Sequence, residues 1–144
     1  MAATDSNTTG STAAADASCR FCTSKPGRQL IVKNEFGFAA YDKHPASNGH
    51  FLVIPYRHFA SYFDVQDDER EALWTLVALG KEAVDKEWNP DGYNIGINVG
   101  EAAGQSIHHL HIHVIPRYKG DVENPKGGVR GVIPAQKLYN IKPD

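Results

Sequence analysis

Apolar and polar positions divide the chain into five short strand-like segments and one long helical one. Residues 29–33 and 36–41 alternate as two strands, with Asn34-Glu35 as a tight connection between them. Phe51-Leu52-Val53-Ile54 is a continuous apolar run stopped by Pro55, the pattern of a central strand covered on both faces. A helix is predicted next. Asp67, Asp68, Glu69 and Glu71 crowd its start, where negative charge complements the helix dipole. Leu73, Leu76, Val77, Gly80, Ala83, Val84 and Trp88 then recur at helical spacing as one stripe, which Asn89-Pro90-Asp91-Gly92 ends. Gly80 lies on that stripe, where it costs about 1 kcal/mol relative to alanine, and a close approach of the sheet would account for it.

Residues 93–99 form the fourth predicted strand, with Ile95, Ile97 and Val99 on one face and Asn94, Gly96 and Asn98 on the other. A small-residue loop follows through Gly100, Ala102, Ala103 and Gly104. Residues 109–115 are the fifth strand, expected to stop at Pro116. Hairpin-length links among these strands argue for an α+β domain built on an antiparallel sheet. Residues 1–18 hold no large apolar side chain beyond Met1 and read as a solvated tail, leaving 19–144 as one domain.

Composition narrows the classes. A formal net charge of −2 gives no nucleic-acid footprint, and no apolar run approaches the roughly 20 residues that span a bilayer. The tail has neither the apolar core of a signal peptide nor the arginines of a transit peptide, so a cytoplasmic setting is expected. Cys19 and Cys22, in Cys-Arg-Phe-Cys, are too close for a good structural staple and suit half of a metal site or a redox pair.

Of the seven histidines, the informative ones sit in His108-His109-Leu110-His111-Ile112-His113-Val114-Ile115. Strand alternation puts His109, His111 and His113 on one face, backed by Leu110, Ile112 and Val114 on the other. Buried imidazole must be hydrogen-bonded, charged or ligated. Three readings are open: surface histidines on an edge strand, a zinc centre, or a nucleophile that attacks phosphorus.

His109-Leu110-His111-Ile112-His113-Val114-Ile115 resembles the His-φ-His-φ-His-φ-φ motif (φ apolar) of the histidine-triad superfamily. Asn48-Gly49-His50-Phe51-Leu52-Val53-Ile54-Pro55 is similar to that family's earlier block, and Asn98 with Gly104-Gln105-Ser106 falls at its spacing for phosphate and ribose contacts. The resemblance implies a five-stranded half-barrel that pairs into a homodimer. It implies a hydrolase acting at the α-phosphate of a nucleotide, expected to be a purine nucleotide, such as a phosphoramidate or dinucleoside polyphosphate. His111 would be the nucleophile, forming a nucleotidyl-histidine intermediate that water cleaves to a nucleoside monophosphate. His113, Ser106 and His50 would assist, while Asp42, Phe38, Asn98, Gly104 and Gln105 would hold the nucleotide. Arg117 and Lys119 are candidates for a basic lip, and His44 and His108 are given no role.

The resemblance to the Cys-x-x-Cys microbial branch further implies structural zinc on Cys19, Cys22, His58 and His109. Two other functions stay open: a nucleotidyltransferase or phosphorylase using the same intermediate, and a non-enzymatic, zinc-stabilised nucleotide-binding module. Transferase relatives typically carry glutamine at the third triad position, which is His113 here.

Overall fold

In the computed structural model, residues 18–22 and 29–139 are described. The tail expected over residues 1–18 therefore lies almost wholly outside them. The five strands are β1 (Leu30–Lys33), β2 (Gly37–Tyr41), β3 (Phe51–Pro55), β4 (Gly92–Gly96) and β5 (Ile112–Arg117). They form one open antiparallel sheet in the order β1-β2-β3-β5-β4, with the single long helix α1 (Asp67–Trp88) across one face.

The β1–β2 turn is closed by Asn34. Its side-chain oxygen accepts from the amides of Phe36 and Gly37 at 3.0 and 3.1 Å, and its amide donates to the Ala72 carbonyl of α1 at 3.0 Å. One side chain thus shapes the hairpin and ties it to the helix. Every residue of β3 is buried, as a continuous apolar run predicts for a central strand.

α1 begins with a capping box between Gln66 and Glu69 and ends at Asn89, whose backbone is left-handed. Leu73, Leu76, Val77 and Val84 pack with Phe51, Val53, Ile112 and Val114 in the main core. Trp88, predicted on this stripe, is instead 38% exposed at the helix end. Gly80 is where helix and sheet meet most tightly: a Cβ there would sit 2.5 Å from Phe51 Cε2.

Strand boundaries differ from expectation at the site. β4 ends at Gly96, so Ile97, Asn98 and Val99 lie beyond its ladder. β5 starts at Ile112 and runs through Pro116, which pairs with Tyr93, to Arg117. His109, Leu110 and His111 precede it. The physical reason is that their backbone partners lie elsewhere: Leu110 N–H donates to the Phe59 carbonyl at 2.7 Å, and the Pro55 carbonyl accepts from the His109 ring at 2.8 Å.

Among the described residues no helix is long and apolar enough to cross a membrane.

Candidate functional site

On the sheet face opposite α1, Leu52 and Ile54 of β3 pack with Cys19 and Phe21. Leu52 is the register partner of His113, so the third triad histidine lies on this face. A cavity of about 510 Å³ opens there, with His111, His113, Asp42, Asn98, Gly104 and Ser106 among its lining residues. The β5 segment, the β2–β3 connection and the loop after β4 therefore converge on one space.

Hydrogen bonds define the form of each imidazole. A carbonyl can only accept, so His111 Nδ1, 2.8 Å from the His109 carbonyl, carries the hydrogen. The lone pair of neutral His111 is then on Nε2. His50 Nδ1 accepts the Ala46 amide at 2.9 Å, which puts the neutral ring's hydrogen on Nε2. That Nε2 donates to His113 Nδ1 at 3.0 Å, so the hydrogen of neutral His113 is on its Nε2.

Burial, with the neighbouring His111 and His50 rings, pushes His113 down to about 4 from its ordinary 6.5. Burial lowers His50 as well, against the opposing pull of Asp42, whose carboxylate lies 3.5 Å away. At neutral pH the pair is uncharged, and His113 is a neutral N–H donor.

Asp42 does two things. Oδ1 accepts the His44 amide at 2.9 Å, and Oδ2 faces His50 Nε2. The loop 97–111 is held from within by Gln105, which is buried. Its side-chain oxygen accepts the Gly100 amide at 2.9 Å, and its amide donates to the carbonyls of Ala60 and Ile107 at 2.9 and 3.2 Å. Gly104, at φ 94°, makes the reversal that brings Ser106 to the cavity.

A second cluster lies next to the triad. Cys19, Cys22, His58 and His109 each offer one ligand atom, and all four atoms lie within 4.8 Å of one another. His109 Nε2 donates to the Pro55 carbonyl, which leaves the lone pair on Nδ1. That Nδ1 is 3.1 Å from His58 Nδ1 and 3.5 Å from each cysteine Sγ, and Cys22 Sγ is 3.1 Å from His58 Nδ1. Tetrahedral zinc with two sulfur and two nitrogen ligands implies ligand–ligand spacings of about 3.3–3.8 Å. The four side chains fit a metal ion in donor type and in spacing. The Phe21 amide also donates to Cys19 Sγ at 3.4 Å, as suits a metal-bound thiolate.

His58 is positioned by its neighbour Arg57, which makes a two-pronged ion pair with buried Glu69 at 3.0 and 2.7 Å. Arg57 also donates to the Asp64 carbonyl and lies 4.0 Å over the Phe59 ring. The first turn of α1 thereby anchors the segment that carries His58.

Not every sequence candidate reaches the cavity. Phe38 is stacked on Tyr56 with ring centres 5.7 Å apart and is not among its lining residues. Gln105 and His50 act from behind it through the bonds above. Neither Arg117 nor Lys119 is among the residues that line the cavity, and Arg117 is forked onto Asp121 at 2.8 and 2.9 Å and donates to Asn94 at 2.6 Å. Arg20 and Lys43 also line the cavity, with His44 beside them. Sequence reasoning gave Arg20 and Lys43 no part and passed over His44. The one local signal was the position of Arg20 inside Cys-x-x-Cys.

Comparison with known proteins agrees with this geometry. The HIT domain matches residues 25–120, two thirds of the chain. The chain belongs to the HIT family. A HIT-like protein of Methanocaldococcus jannaschii is 37% identical over 130 residues, covering 86% of this chain and 98% of that one. The bis(5'-adenosyl)-triphosphatase of Dictyostelium discoideum is 35% identical over 67% of this chain and 64% of its own. The AP-4-A phosphorylase of Mycobacterium tuberculosis is 32% identical over 64% of this chain and 48% of its own. Among solved structures, a HIT family protein of Bacillus anthracis has a TM-score of 0.68 at 28% identity, covering 91% of this chain and 84% of that one. A Zn-bound histidine triad family protein of Mycobacterium smegmatis has a TM-score of 0.63 at 32% identity, over 74% of this HIT chain and 80% of that one.

Proposed function

We propose that this HIT chain hydrolyses nucleotides at the α-phosphate through a nucleotidyl-histidine intermediate on His111. The observation that carries the reading is the hydrogen bond from His111 Nδ1 to the His109 carbonyl, which keeps the hydrogen on Nδ1 and the lone pair on Nε2, as a nucleophile requires. Nε2 attacks the α-phosphorus, an N–P bond forms, and the bond to the leaving group breaks with its electron pair on the departing atom. The ring becomes cationic in this step, and the carbonyl acceptor at Nδ1 stabilises that charge. Water then adds to phosphorus, the N–P pair returns to Nε2, and the nucleoside monophosphate and a proton are released.

His113 donates its Nε2–H to an α-phosphate oxygen, and His50 holds it in the form that can donate. Ser106 and the backbone at Gly104 receive phosphate oxygens, with Asn98 beside them on the cavity wall. Asp42 accepts from a ribose hydroxyl. Gln105 acts by holding the loop, and Phe38 by packing on Tyr56 below the site. Zinc is the ion we assign to Cys19, Cys22, His58 and His109, on the donor set and on the Zn-bound relative. It supplies structural cross-linking between the N-terminal turn, the segment after β3 and the triad.

The hydrolase reading follows the relative that is a bis(5'-adenosyl)-triphosphatase. The one that is an AP-4-A phosphorylase favours a second reading, in which phosphate replaces water in the second step. A homodimer is proposed on the exposed Ile95 of edge strand β4 and the exposed Val129, Val132 and Ile133 of the C-terminal turns beside it. The deciding experiment incubates wild type and His111→Ala with α-labelled adenosine phosphoramidate, with and without added phosphate. Expected are acid-labile, alkali-stable label on His111 and at least a thousandfold loss of turnover in the variant. Label on another residue, or wild-type rates in the variant, overturns the mechanism, and ADP formed with phosphate selects the phosphorylase.

A further inference from the structure

The reading above gives no task to Phe21, a buried aromatic residue that reaches the substrate cavity. It is 6% exposed and packs with Leu52 and Ile54 on the sheet face opposite α1, yet it lines the cavity together with His111. Its ring stands edge-on to His111, with centres 5.0 Å apart at 64°, and to His109, with centres 5.9 Å apart at 87°. Edge-to-face rings attract over centre spacings of about 4.5–7 Å. One side chain thus meets both the proposed nucleophile and a member of the metal cluster.

The backbone that carries Phe21 is held as closely as its ring. Phe21 lies between Cys19 and Cys22, two of the four members of the metal cluster. The turn is closed by the Cys22 amide on the Cys19 carbonyl at 3.3 Å and by the Phe21 amide itself on Cys19 Sγ at 3.4 Å. His111 is constrained differently. Its Nδ1 donates to the His109 carbonyl, which fixes the tautomer and one point of the ring, but one such bond permits rotation about its own line. In-line attack needs the in-plane lone pair of Nε2 aimed at phosphorus, and small misplacements of reacting atoms are costly. Ring contacts can fix the plane: Phe21 supplies one, and the His113 ring another with centres 5.0 Å apart.

We infer that Phe21 is a positioning residue for His111: its edge-on ring, carried by the Cys-x-x-Cys turn, holds the plane of the imidazole so that Nε2 faces the α-phosphorus. The inference rests on the His111 reading and separates two properties of that ring. The His109 carbonyl decides which nitrogen carries the hydrogen, and Phe21 decides where the lone pair points. The turn that supplies two cysteines to the metal cluster then also takes part in the reaction, without forming or breaking a bond.

The test compares metal-replete wild type with Phe21→Met, Phe21→Leu and Phe21→Tyr. Methionine and leucine keep an apolar side chain against Leu52 and Ile54 but remove the ring, and tyrosine retains it. The first readout needs no substrate: NMR relaxation of the His111 ring carbons, with the ring nitrogen shifts reporting the tautomer. In the Met and Leu variants the order parameter of the His111 ring should fall while the hydrogen stays on Nδ1. An unchanged order parameter overturns the inference. The second readout is turnover of adenosine phosphoramidate beside calorimetric affinity for AMP. In both variants kcat should fall roughly ten- to hundredfold with AMP affinity within about twofold of wild type, and Phe21→Tyr should recover most of the loss. A loss of AMP affinity as large as the loss of kcat would make Phe21 a wall of the substrate site and overturn the inference. Wild-type kcat in the Met and Leu variants, or no recovery in Phe21→Tyr, would do the same. If wild type turned over no phosphoramidate, the His111 reading would fail by itself, and the relaxation measurement would still decide whether Phe21 holds the ring.

Discussion

Gly80→Ala sets helix propensity against packing, and the structure decides which wins. In an exposed helix interior the change would stabilise by about 1 kcal/mol. Here the new Cβ would lie 2.5, 2.6 and 3.2 Å from Cε2, Cζ and Cδ2 of Phe51. These are three atoms of one rigid ring, which is fully buried and has no flexible end to move aside. Overpacking of this kind costs about 1–3 kcal/mol, and the upper half of that range applies because a ring edge is struck. The net expectation is a loss of about 1–2 kcal/mol, equivalent to a drop in Tm of about 4–8 °C for a domain of this size.

Urea denaturation at constant protein and metal concentration would measure it, together with Phe51→Leu and the double variant. Leucine removes the ring that the methyl group strikes. Gly80→Ala in the Phe51→Leu background should therefore cost at least 1 kcal/mol less than in wild type. Phe51 also lies between His50 and Leu52, the register partner of His113, so turnover should fall more than substrate affinity. A stabilised Gly80→Ala, or strictly additive variants, would refute the close contact of α1 with β3.

Protons give the next test. His113 is held near 4 when folded and returns to about 6.5 when unfolded. Between those values the unfolded chain binds the proton and the folded chain does not, so stability rises with pH across the window and is lost on acidification. Moving from pH 7 to 5 should cost up to about 2 kcal/mol from this group at 1.36 kcal/mol per unit, with His50 adding in the same direction. His113→Gln should show a flatter urea midpoint against pH, and equal slopes would sink the assignment. For the metal, mass spectrometry of the native protein should find one zinc per chain in wild type and almost none in Cys22→Ser, which should also melt lower. Chelation that abolished turnover without loosening the fold, with activity restored by metal alone, would make the ion catalytic instead of structural.

Much of the architecture was legible because periodicity reports burial. The stripe on α1 and the fully apolar β3 each face a core that their own spacing announces. The start of β5 was not legible. His109 and His111 alternate with Leu110 as a strand would, yet ladder pairing depends on a neighbour. Here the Pro55 carbonyl is taken by an imidazole and the Leu110 amide by Phe59. Pro116 misled in the other direction: it lacks a donor but favours the extended backbone, and its carbonyl receives Ser47 Oγ at 2.6 Å. The metal cluster is assembled from residues up to 90 positions apart, from Cys19 to His109, so it emerged through family resemblance and not from spacing. The meeting of Arg20 and Lys43 at the cavity was invisible for the same reason. Residues 20 and 43–44 share no element, and convergence in space leaves no mark on a linear pattern.

His109 joins the two clusters through different parts of one residue. Its ring offers Nδ1 to the metal group, while its main-chain carbonyl accepts from the His111 ring. A main-chain oxygen belongs to whatever amino acid occupies the position. Replacement of the His109 ring therefore deletes a ligand yet keeps the acceptor that sets the tautomer of His111, provided the chain path holds. The two properties are separable by mutation: a lineage could discard the ion and keep the nucleophile, with packing taking over the cross-link. The tautomer of the proposed nucleophile is thus set by the path of the backbone, whereas the candidate metal group is set by side chains alone.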